Sequence, residues 1–268
     1  MSPIQAIILG LIQGITEFLP VSSSGHLEIG KHLFDLDMSG TESLTFDVVV
    51  HAGTALSTIV VFRKDIAEII SGLLKFKWND ETKFSTYILI SMIPAAFVGL
   101  AFEDQITSLF ENSILLVGAM LIITGILLFL ADRAKKTNKA VRGIDALIIG
   151  LAQAIAILPG ISRSGTTIST SVLLGIDRHK AARFSFLMVL PIILGKTLLD
   201  AKDIVTGQAP GVEINVMVLF LGLIAAFISG VFACKWMIAL VRRAKLKYFS
   251  YYCFGIAAVV LLSQFFGF

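Results

Sequence analysis

The stretch that decides the fold is residues 13–26, QGITEFLPVSSSGH, together with a second stretch at residues 153–167, QAIAILPGISRSGTT. Each lies inside a long apolar run and interrupts it with a proline, a group of serines and a glycine. Proline ends or kinks a helix, and serine is a preferred residue at a helix N-cap. The pattern therefore predicts that one short helix ends and another begins inside each apolar run.

The composition indicates what kind of protein contains these breaks. The chain has 268 residues, of which 56% are hydrophobic and 15% charged, and its mean hydropathy is +0.87. Soluble domains carry about 25% charged residues, so a soluble globule and a disordered chain are both excluded. The two cysteines, Cys234 and Cys253, lie in apolar runs and indicate buried free thiols rather than a disulfide scaffold. A net charge of +3 is too small to indicate binding to nucleic acid.

The apolar runs predict an all-α, polytopic membrane protein. A helix needs about 20 mostly apolar residues to cross the hydrocarbon core of a bilayer. Non-helical backbone at membrane depth is tolerated only where protein buries it or where it lines a wet cavity. We therefore expect the broken segments 3–34 and 143–175 to be re-entrant pairs of half-helices. Six further segments qualify as transmembrane helices: 44–62, 84–103, 113–131, 182–201, 216–237 and 248–267.

Charge placement predicts the orientation. Most of the 22 lysines and arginines lie in four loops: 63–83, 132–142, 176–183 and 238–247. Basic loops stay on the cytoplasmic side, and six spans with two re-entrant pairs place all four loops there and both termini outside. Eight full spans would put successive basic loops on opposite sides of the membrane, so we reject that arrangement. The N-terminus lacks the basic flank and cleavage site of a signal peptide, so we expect it to be retained.

The two broken segments resemble each other. Residues 10–13 match residues 150–153, and residues 22–25 match residues 162–165 at the same offset. Three predicted spans follow each broken segment, and an odd number of crossings per half inserts the second half upside down. We therefore expect a single membrane domain, 1–268, built from inverted repeats of about 1–131 and 143–268, in which the breaks meet near the midplane and mark the binding site.

The first break carries a candidate metal ligand and catalytic acid. Glu17 lies inside the first half-helix, and Gln13 lies one turn earlier on the same face. A carboxylate at membrane depth costs roughly 2.5–3.5 kcal/mol even on lenient scales, which by default indicates a functional site. Carboxylate and carboxamide oxygens suit Mg²⁺ or Ca²⁺. The alternative is that Glu17 only pairs with a base or caps the next half-helix.

Ser22, Ser23 and Ser24 open the second half-helix, whose free N–H groups and dipole form an anion site. His26 follows on its first turn, where an imidazole is well suited to exchange a proton with a bound group. The other three histidines have no such neighbours in the sequence and are expected to be structural or interfacial: His32, His51 and His179.

The second break carries a candidate phosphate ligand. Arg163 is the only arginine at membrane depth, and a guanidinium in a dry site binds phosphate in a bidentate manner. The alternative is a structural salt bridge with Glu17. The remaining candidates for binding the substrate are small or hydroxyl-bearing residues at the two helix starts: Gly25, Ser162, Ser164, Gly165, Thr166 and Thr167. One acid, one cation and several hydroxyls suit a phosphate or diphosphate on an amphiphile.

These two motifs resemble those of the undecaprenyl-diphosphate phosphatases, the bacitracin-resistance family of bacterial inner-membrane enzymes. Residues 13–26 resemble the Glu/Gln-x-x-x-Glu element, with Gln13 in its first slot, and residues 159–167 resemble the Pro-Gly-x-Ser-Arg-Ser-x-x-Thr element in full. Length, span count and repeat layout agree along the whole chain. The first position of this element is either Glu or Gln. Because an amide binds metal less tightly than a carboxylate, Gln13 is the weaker metal ligand of the two.

The resemblance implies hydrolysis of undecaprenyl diphosphate to undecaprenyl phosphate and inorganic phosphate, with dependence on a divalent metal. This reaction recycles the lipid carrier of cell-wall synthesis and confers resistance to bacitracin, which sequesters the diphosphate. Glu17, Ser23, His26 and Arg163 are the catalytic residues in this reading. The implied site lies near the membrane midplane and opens to the periplasm.

The sequence leaves alternatives open for the function, the attacking group and one helix contact. Ser24-Gly25-His26 is similar to a motif of phosphatidic-acid-type phosphatases, but that family needs a histidine where this chain has Ser169. An inverted-repeat protein could instead transport or flip a phosphorylated polyprenyl lipid. The attacking group is Ser23, metal-bound water or His26, and we favour Ser23. Gly10-x-x-x-Gly14 is a helix-contact pattern that serves either a homodimer or a contact within the chain.

Overall fold

A computed structural model describes residues 1–36, 40–110, 114–135, 137–205, 215–243 and 245–266. Within these ranges the regular structure is helical, apart from an isolated bridge between Lys139 and Ile176. The helices are α1 (Pro3–Phe18), α2 (Ser23–Leu33), α3 (Gly40–Val61), α4 (Arg63–Leu73), α5 (Asp80–Ala101), α6 (Glu103–Phe110), α7 (Ile114–Asp132), α8 (Gly143–Ile155), α9 (Arg163–Leu173), α10 (Arg178–Val205), α11 (Val216–Arg242) and α12 (Lys247–Phe266).

The predicted all-α, polytopic membrane fold is confirmed. Five helices, α3, α5, α7, α11 and α12, are long and apolar enough to cross a membrane. The sixth predicted span, 182–201, falls within α10, and its side chains beyond Gly195 lie outside the described residues. The chain also forms two short helices that the sequence reading did not anticipate: α4 lies inside the predicted loop 63–83, and α6 follows α5.

Both predicted breaks occur. α1 ends at Phe18 because Leu19 precedes a proline and adopts the extended conformation, with ψ 140°. α2 begins after the N-cap residue Ser22, and α9 begins after the N-cap residue Ser162. A Cβ added to Gly30 near the end of α2 would meet Leu9 and Ile12 of α1, so α2 folds back along α1 as a hairpin.

The four basic loops meet at one end of the molecule. Loop 132–142 joins the segment 176–183 through the hydrogen bond from the Asp177 N–H to the Lys139 carbonyl, 2.9 Å. Arg183 pairs with Asp65 of α4, and the Lys247 N–H donates to Asp132 at the end of α7, 3.1 Å. Met1 instead packs against a separate apolar cluster that includes Ala6 and Leu9 of α1. The basic loops therefore share one side, as the orientation argument requires.

Each broken hairpin packs its first helix against a span from the other half of the chain. A Cβ on Gly10 of α1 would lie 2.4 Å from the Gly222 carbonyl oxygen of α11. A Cβ on Gly150 of α8 would lie 2.5 Å from the Ser91 carbonyl oxygen of α5. The Gly10-x-x-x-Gly14 pattern thus serves a contact within the chain. Corresponding glycines of the two broken segments, Gly10 and Gly150, each allow a close approach to a helix in the other half of the chain.

The close contact between α1 and α11 generates a testable prediction. Gly10→Ala places a methyl group against the backbone of α11 and should lower the stability of the detergent-solubilised protein by about 1–3 kcal/mol, the usual cost of overpacking. The control is Gly99→Ala in α5, because a Cβ at that position meets nothing within 4 Å. Thermal unfolding of both variants checks this, and equal midpoints would contradict the α1–α11 contact.

Candidate active site

The N-termini of α2 and α9 face each other across the two breaks. A Cβ on Gly25 would lie 3.3 Å from Gly160 Cα, and one on Gly165 would lie 3.2 Å from Pro20 Cβ. Each helix start therefore touches the break of the other hairpin. Small residues are required at these positions because larger side chains would push the two helix starts apart.

The two helix starts use the same capping geometry. The Ser22 hydroxyl oxygen accepts from the Gly25 N–H at 3.2 Å, and the Ser162 hydroxyl oxygen accepts from the Gly165 N–H at 3.0 Å. In both helices two residues lie between the N-cap serine and this glycine. Their backbone N–H groups find no acceptor within the described part of the chain. Two sets of free N–H groups and two helix dipoles therefore favour an anion at this junction.

Helix α7 holds the second break in place. The Ser162 N–H donates to the Thr124 hydroxyl oxygen at 3.0 Å. Gly160 has φ +93°, and a Cβ there would lie 2.5 Å from the Val117 carbonyl oxygen. Only glycine combines that backbone conformation with so close an approach. The contact of this turn with α7 thus explains why a glycine precedes the second helix start.

Glu17 is the centre of the site. Its Oε2 accepts from the Ser23 hydroxyl at 2.6 Å and from the Gln13 amide at 3.1 Å, and its Oε1 accepts from the Arg163 guanidinium. The Glu17 carboxylate is buried, whereas the Arg163 side chain is partly exposed. Three of the four catalytic candidates, Glu17, Ser23 and Arg163, are therefore in direct contact, together with the metal candidate Gln13.

The ion pair joins the two halves of the molecule. Glu17 lies one residue before the end of α1 and Arg163 begins α9, so each charge comes from a different broken hairpin. A buried carboxylate without a partner is costly, and removing one member of a buried pair typically costs about 3–5 kcal/mol. The structure therefore contains the Glu17–Arg163 salt bridge that the sequence offered as the alternative role of Arg163. An arriving phosphate would compete with the Glu17 carboxylate for the same guanidinium.

His26 lies on the first turn of α2, and hydrogen bonds hold both nitrogens of its ring. Its Nδ1 lies 2.8 Å from the Ser22 carbonyl oxygen, and its Nε2 lies 2.9 Å from the Tyr252 hydroxyl. The imidazole also stacks on the Tyr252 ring, with centroids 5.6 Å apart. Both ring nitrogens are therefore engaged, and neither bonds to Ser23.

His51 is a site residue that the sequence reading missed. Its Nδ1 lies 2.7 Å from the Asp47 carbonyl oxygen, and its Nε2 lies 3.7 Å from Glu17 Oε2. A weak signal was available, because α3 places polar residues on one helical face inside an apolar span: Asp47, His51, Thr54 and Thr58. Only the packing of α3 against α1 brings this face to Glu17.

The remaining candidates surround the helix starts. The Ser22 and Ser24 hydroxyls lie 3.4 Å apart, and the Ser162 and Ser164 hydroxyls 3.3 Å apart. Thr167 is turned towards α10, where its hydroxyl lies 2.6 Å from that of Ser185. The buried Thr166 hydroxyl has no hydrogen-bond partner within the described residues. Thr166 is thus available to a ligand, whereas Thr167 supports the helix.

The oxygen atoms in this site suit a cation that is bound partly by the protein and partly by a substrate phosphate. Among the described residues no three His, Cys, Asp or Glu side chains form a metal-binding group. Glu17 supplies a single carboxylate, and the buried Gln13 Oε1 has no hydrogen-bond partner in the described structure. Mg²⁺ is usually bound through one or two carboxylates plus substrate phosphates rather than by an all-protein cage. The residues present fit that arrangement.

Comparison with known proteins gives full-length similarity. The family described as bacitracin resistance protein BacA matches residues 6–259. The chain is 59% identical to an undecaprenyl-diphosphatase of Christiangramia forsetii, covering 97% of this chain and 98% of that protein. It is 50% identical to an undecaprenyl-diphosphatase of Bacteroides fragilis, covering 96% and 97%. It is 42% identical to one of Carboxydothermus hydrogenoformans, covering 98% of both chains.

Proposed function

The chain belongs to the bacitracin resistance protein BacA family, and from this premise we propose how its site performs the family's reaction. The protein is a multi-pass membrane enzyme that hydrolyses undecaprenyl diphosphate to undecaprenyl phosphate and inorganic phosphate. The reaction recycles the lipid carrier of peptidoglycan synthesis and underlies bacitracin resistance. The observation that carries the proposal is the Ser23–Glu17 hydrogen bond of 2.6 Å beside the Arg163 guanidinium.

The first step is binding of the diphosphate at the junction of the two helix starts. Phosphate oxygens replace Glu17 Oε1 on the Arg163 guanidinium, which binds two of them through parallel N–H donors. The free N–H groups at the starts of α2 and α9 bind the remaining negative charge. Candidates for side-chain contacts to the diphosphate are the residues around these starts: Ser22, Ser24, Gly25, Ser162, Ser164, Gly165, Thr166 and Thr167.

The second step is attack by Ser23 on the terminal phosphorus. Glu17 Oε2 accepts the proton of the Ser23 hydroxyl as the Ser23 Oγ–P bond forms, and the anhydride P–O bond breaks. The electron pair of that bond leaves with undecaprenyl phosphate. Arg163 and the helix N–H groups stabilise the charge on the transferred phosphoryl group.

The third step restores the enzyme. Water attacks the phosphoserine, the Ser23 Oγ–P bond breaks, and inorganic phosphate is released. The proton that Glu17 took from Ser23 returns to the serine oxygen, while both protons of the attacking water leave with the phosphate product as dihydrogen phosphate. Glu17 is thereby ready for another turnover.

Two other attacking groups remain alternatives. Metal-bound water is compatible with the same residues, with the serines then only binding phosphate. Attack by His26 would require an imidazole nitrogen to leave its hydrogen bond with Ser22 or Tyr252. The serine scheme needs no such rearrangement, since the Ser23 hydroxyl already donates to a carboxylate.

The proposal includes a divalent cation, Mg²⁺ or Ca²⁺. Glu17 and Gln13 would hold it together with the diphosphate oxygens, because these residues bring a carboxylate and an unbonded amide oxygen into the site. Bound there, the cation would offset the charge of the diphosphate.

The proposed location is the bacterial inner membrane, with the site near the midplane and open to the periplasm. The four basic loops would then be cytoplasmic and both termini outside. The homodimer also remains a prediction, and its interface would lie elsewhere than Gly10 and Gly14, since α11 covers both glycines.

Phosphate release from purified protein tests the function. The detergent-solubilised protein should release inorganic phosphate from undecaprenyl diphosphate, because hydrolysis needs no second compartment. Movement of the lipid across proteoliposomes without phosphate release would instead support the transporter reading, which the names of the relatives do not favour.

The serine scheme predicts a phosphoserine. Rapid acid quenching after mixing with diphosphate labelled at the terminal phosphorus should trap label on Ser23, since acid preserves phosphoserine and hydrolyses phosphohistidine. Ser23→Ala should lower kcat by at least about a thousandfold, because the nucleophile is lost. Ser24→Ala is the matched variant and should mainly raise KM. Substantial turnover by Ser23→Ala would leave water or His26 as the attacking group.

The cation proposal predicts reversible loss of activity. A chelator should suppress phosphate release, and Mg²⁺ or Ca²⁺ should restore it, because the diphosphate charge is then offset again. Gln13→Glu adds a second carboxylate and should lower the cation concentration needed for half-maximal activity. An unchanged cation requirement in Gln13→Glu would contradict its place beside the cation.

The orientation predicts which residues can be labelled from each side. Lys77 is exposed at the end of the molecule that contains the basic loops, and Asp35 is exposed at the opposite end. Each is replaced by cysteine, as Lys77→Cys and Asp35→Cys. In intact cells a membrane-impermeant maleimide should label only Asp35→Cys, and Lys77→Cys should react after permeabilisation. The native cysteines are buried, which keeps the background low. Labelling of both variants in intact cells would refute the orientation.

A further inference from the structure

We infer that Tyr252 is a positioning residue for the proposed reaction. Its hydroxyl holds the His26 ring in one tautomer, and His26 in turn fixes the main chain that directs Ser23 towards Glu17. The inference rests on the proposed function for its kinetic consequences. The tautomer of His26 can be measured without substrate, separately from the reaction.

The hydrogen-bond partners fix the proton positions. His26 Nδ1 lies 2.8 Å from the Ser22 carbonyl oxygen, and a carbonyl can only accept, so Nδ1 carries the hydrogen. The neutral imidazole then has a bare Nε2, which can only accept. The Tyr252 hydroxyl, 2.9 Å from Nε2, is therefore the donor. Stacking of the two rings at an interplanar angle of 13° keeps this pair aligned.

The His26 ring is attached to an unusual piece of main chain. Ser22 has φ 71° and ψ 95°, a left-handed conformation that a non-glycine residue adopts only when its surroundings hold it. The Ser22 carbonyl accepts both from the His26 Nδ1–H and from the His26 backbone N–H at 3.1 Å. The next residue is Ser23, whose hydroxyl reaches Glu17. Releasing the ring would free this turn and the direction of the Ser23 side chain.

Tyr252 comes from the other half of the molecule. It lies on α12, whereas His26 lies on α2, so this pair ties the first break to the last helix. The Tyr252 side chain is 45% exposed. Removing its hydroxyl therefore leaves no enclosed cavity, and the stacked ring remains in Tyr252→Phe. That variant should fold as the parent does.

The kinetic test compares Tyr252→Phe with Tyr251→Phe. Tyr251 is the adjacent residue on α12 and is also exposed, and its hydroxyl makes no hydrogen bond to the described residues. Tyr252→Phe should lower kcat for undecaprenyl diphosphate about tenfold, as loss of one hydrogen bond implies, with KM within about twofold of the parent. Tyr251→Phe should match the parent. A kcat for Tyr252→Phe within about twofold of the control would overturn the inference.

The spectroscopic test reads the tautomer directly. In ¹⁵N-histidine NMR at neutral pH, the His26 signals, assigned by their loss in His26→Gln, should show a protonated Nδ1 and a bare Nε2. Tyr252→Phe should give a mixture of tautomers, and Tyr251→Phe should not. A protonated Nε2 in the parent protein overturns the inference even if Tyr252→Phe fails to fold. Absence of phosphate release by the parent and Tyr251→Phe would instead count against the proposed function.

Discussion

A carboxylate buried at a break in a membrane helix cannot remain unpartnered, and the arrangement of this protein follows from supplying its partners. Glu17 pairs with the Arg163 guanidinium of α9. It also accepts hydrogen bonds from the Ser23 hydroxyl of α2 and the Gln13 amide of α1. Burying such a charge without partners would cost several kcal/mol. The two hairpins must therefore meet at their breaks, and α7, α11 and α3 pack around them so that they do.

The two breaks share a framework but divide the chemistry between them. Ser22 and Ser162 cap their helices in the same way, and Gln13 and Gln153 occupy corresponding positions. The offset that aligns these residues pairs Glu17 with Ile157 and Ser23 with Arg163. One half thus carries the acid and the proposed nucleophile, and the other carries the cation. Because the helix starts face each other, the acid of the first half meets the cation of the second.

The sequence predicted what local patterns encode. Proline, serine and glycine at each break specify where one helix ends and the next begins, and the structure confirms both positions. Basic loops predicted one shared end, which the contacts of Asp65, Asp132 and Lys139 confirm. His51 and Tyr252 were not found, because their roles depend on how α3 and α12 pack against distant helices. A polar residue on an apolar helix shows that a partner exists but does not identify it.

The account depends most on Glu17, which pairs with Arg163 and is proposed to accept the Ser23 proton. Glu17→Gln keeps the size of the side chain and removes both its charge and its basicity. The account predicts a protein that still folds, because the Arg163 side chain is partly exposed and its charge can stay hydrated. It also predicts phosphate release at least about a thousandfold slower than in the parent, since a lost general base alone costs about 10²–10⁴ in rate. Phosphate release by Glu17→Gln within about tenfold of the parent would contradict it.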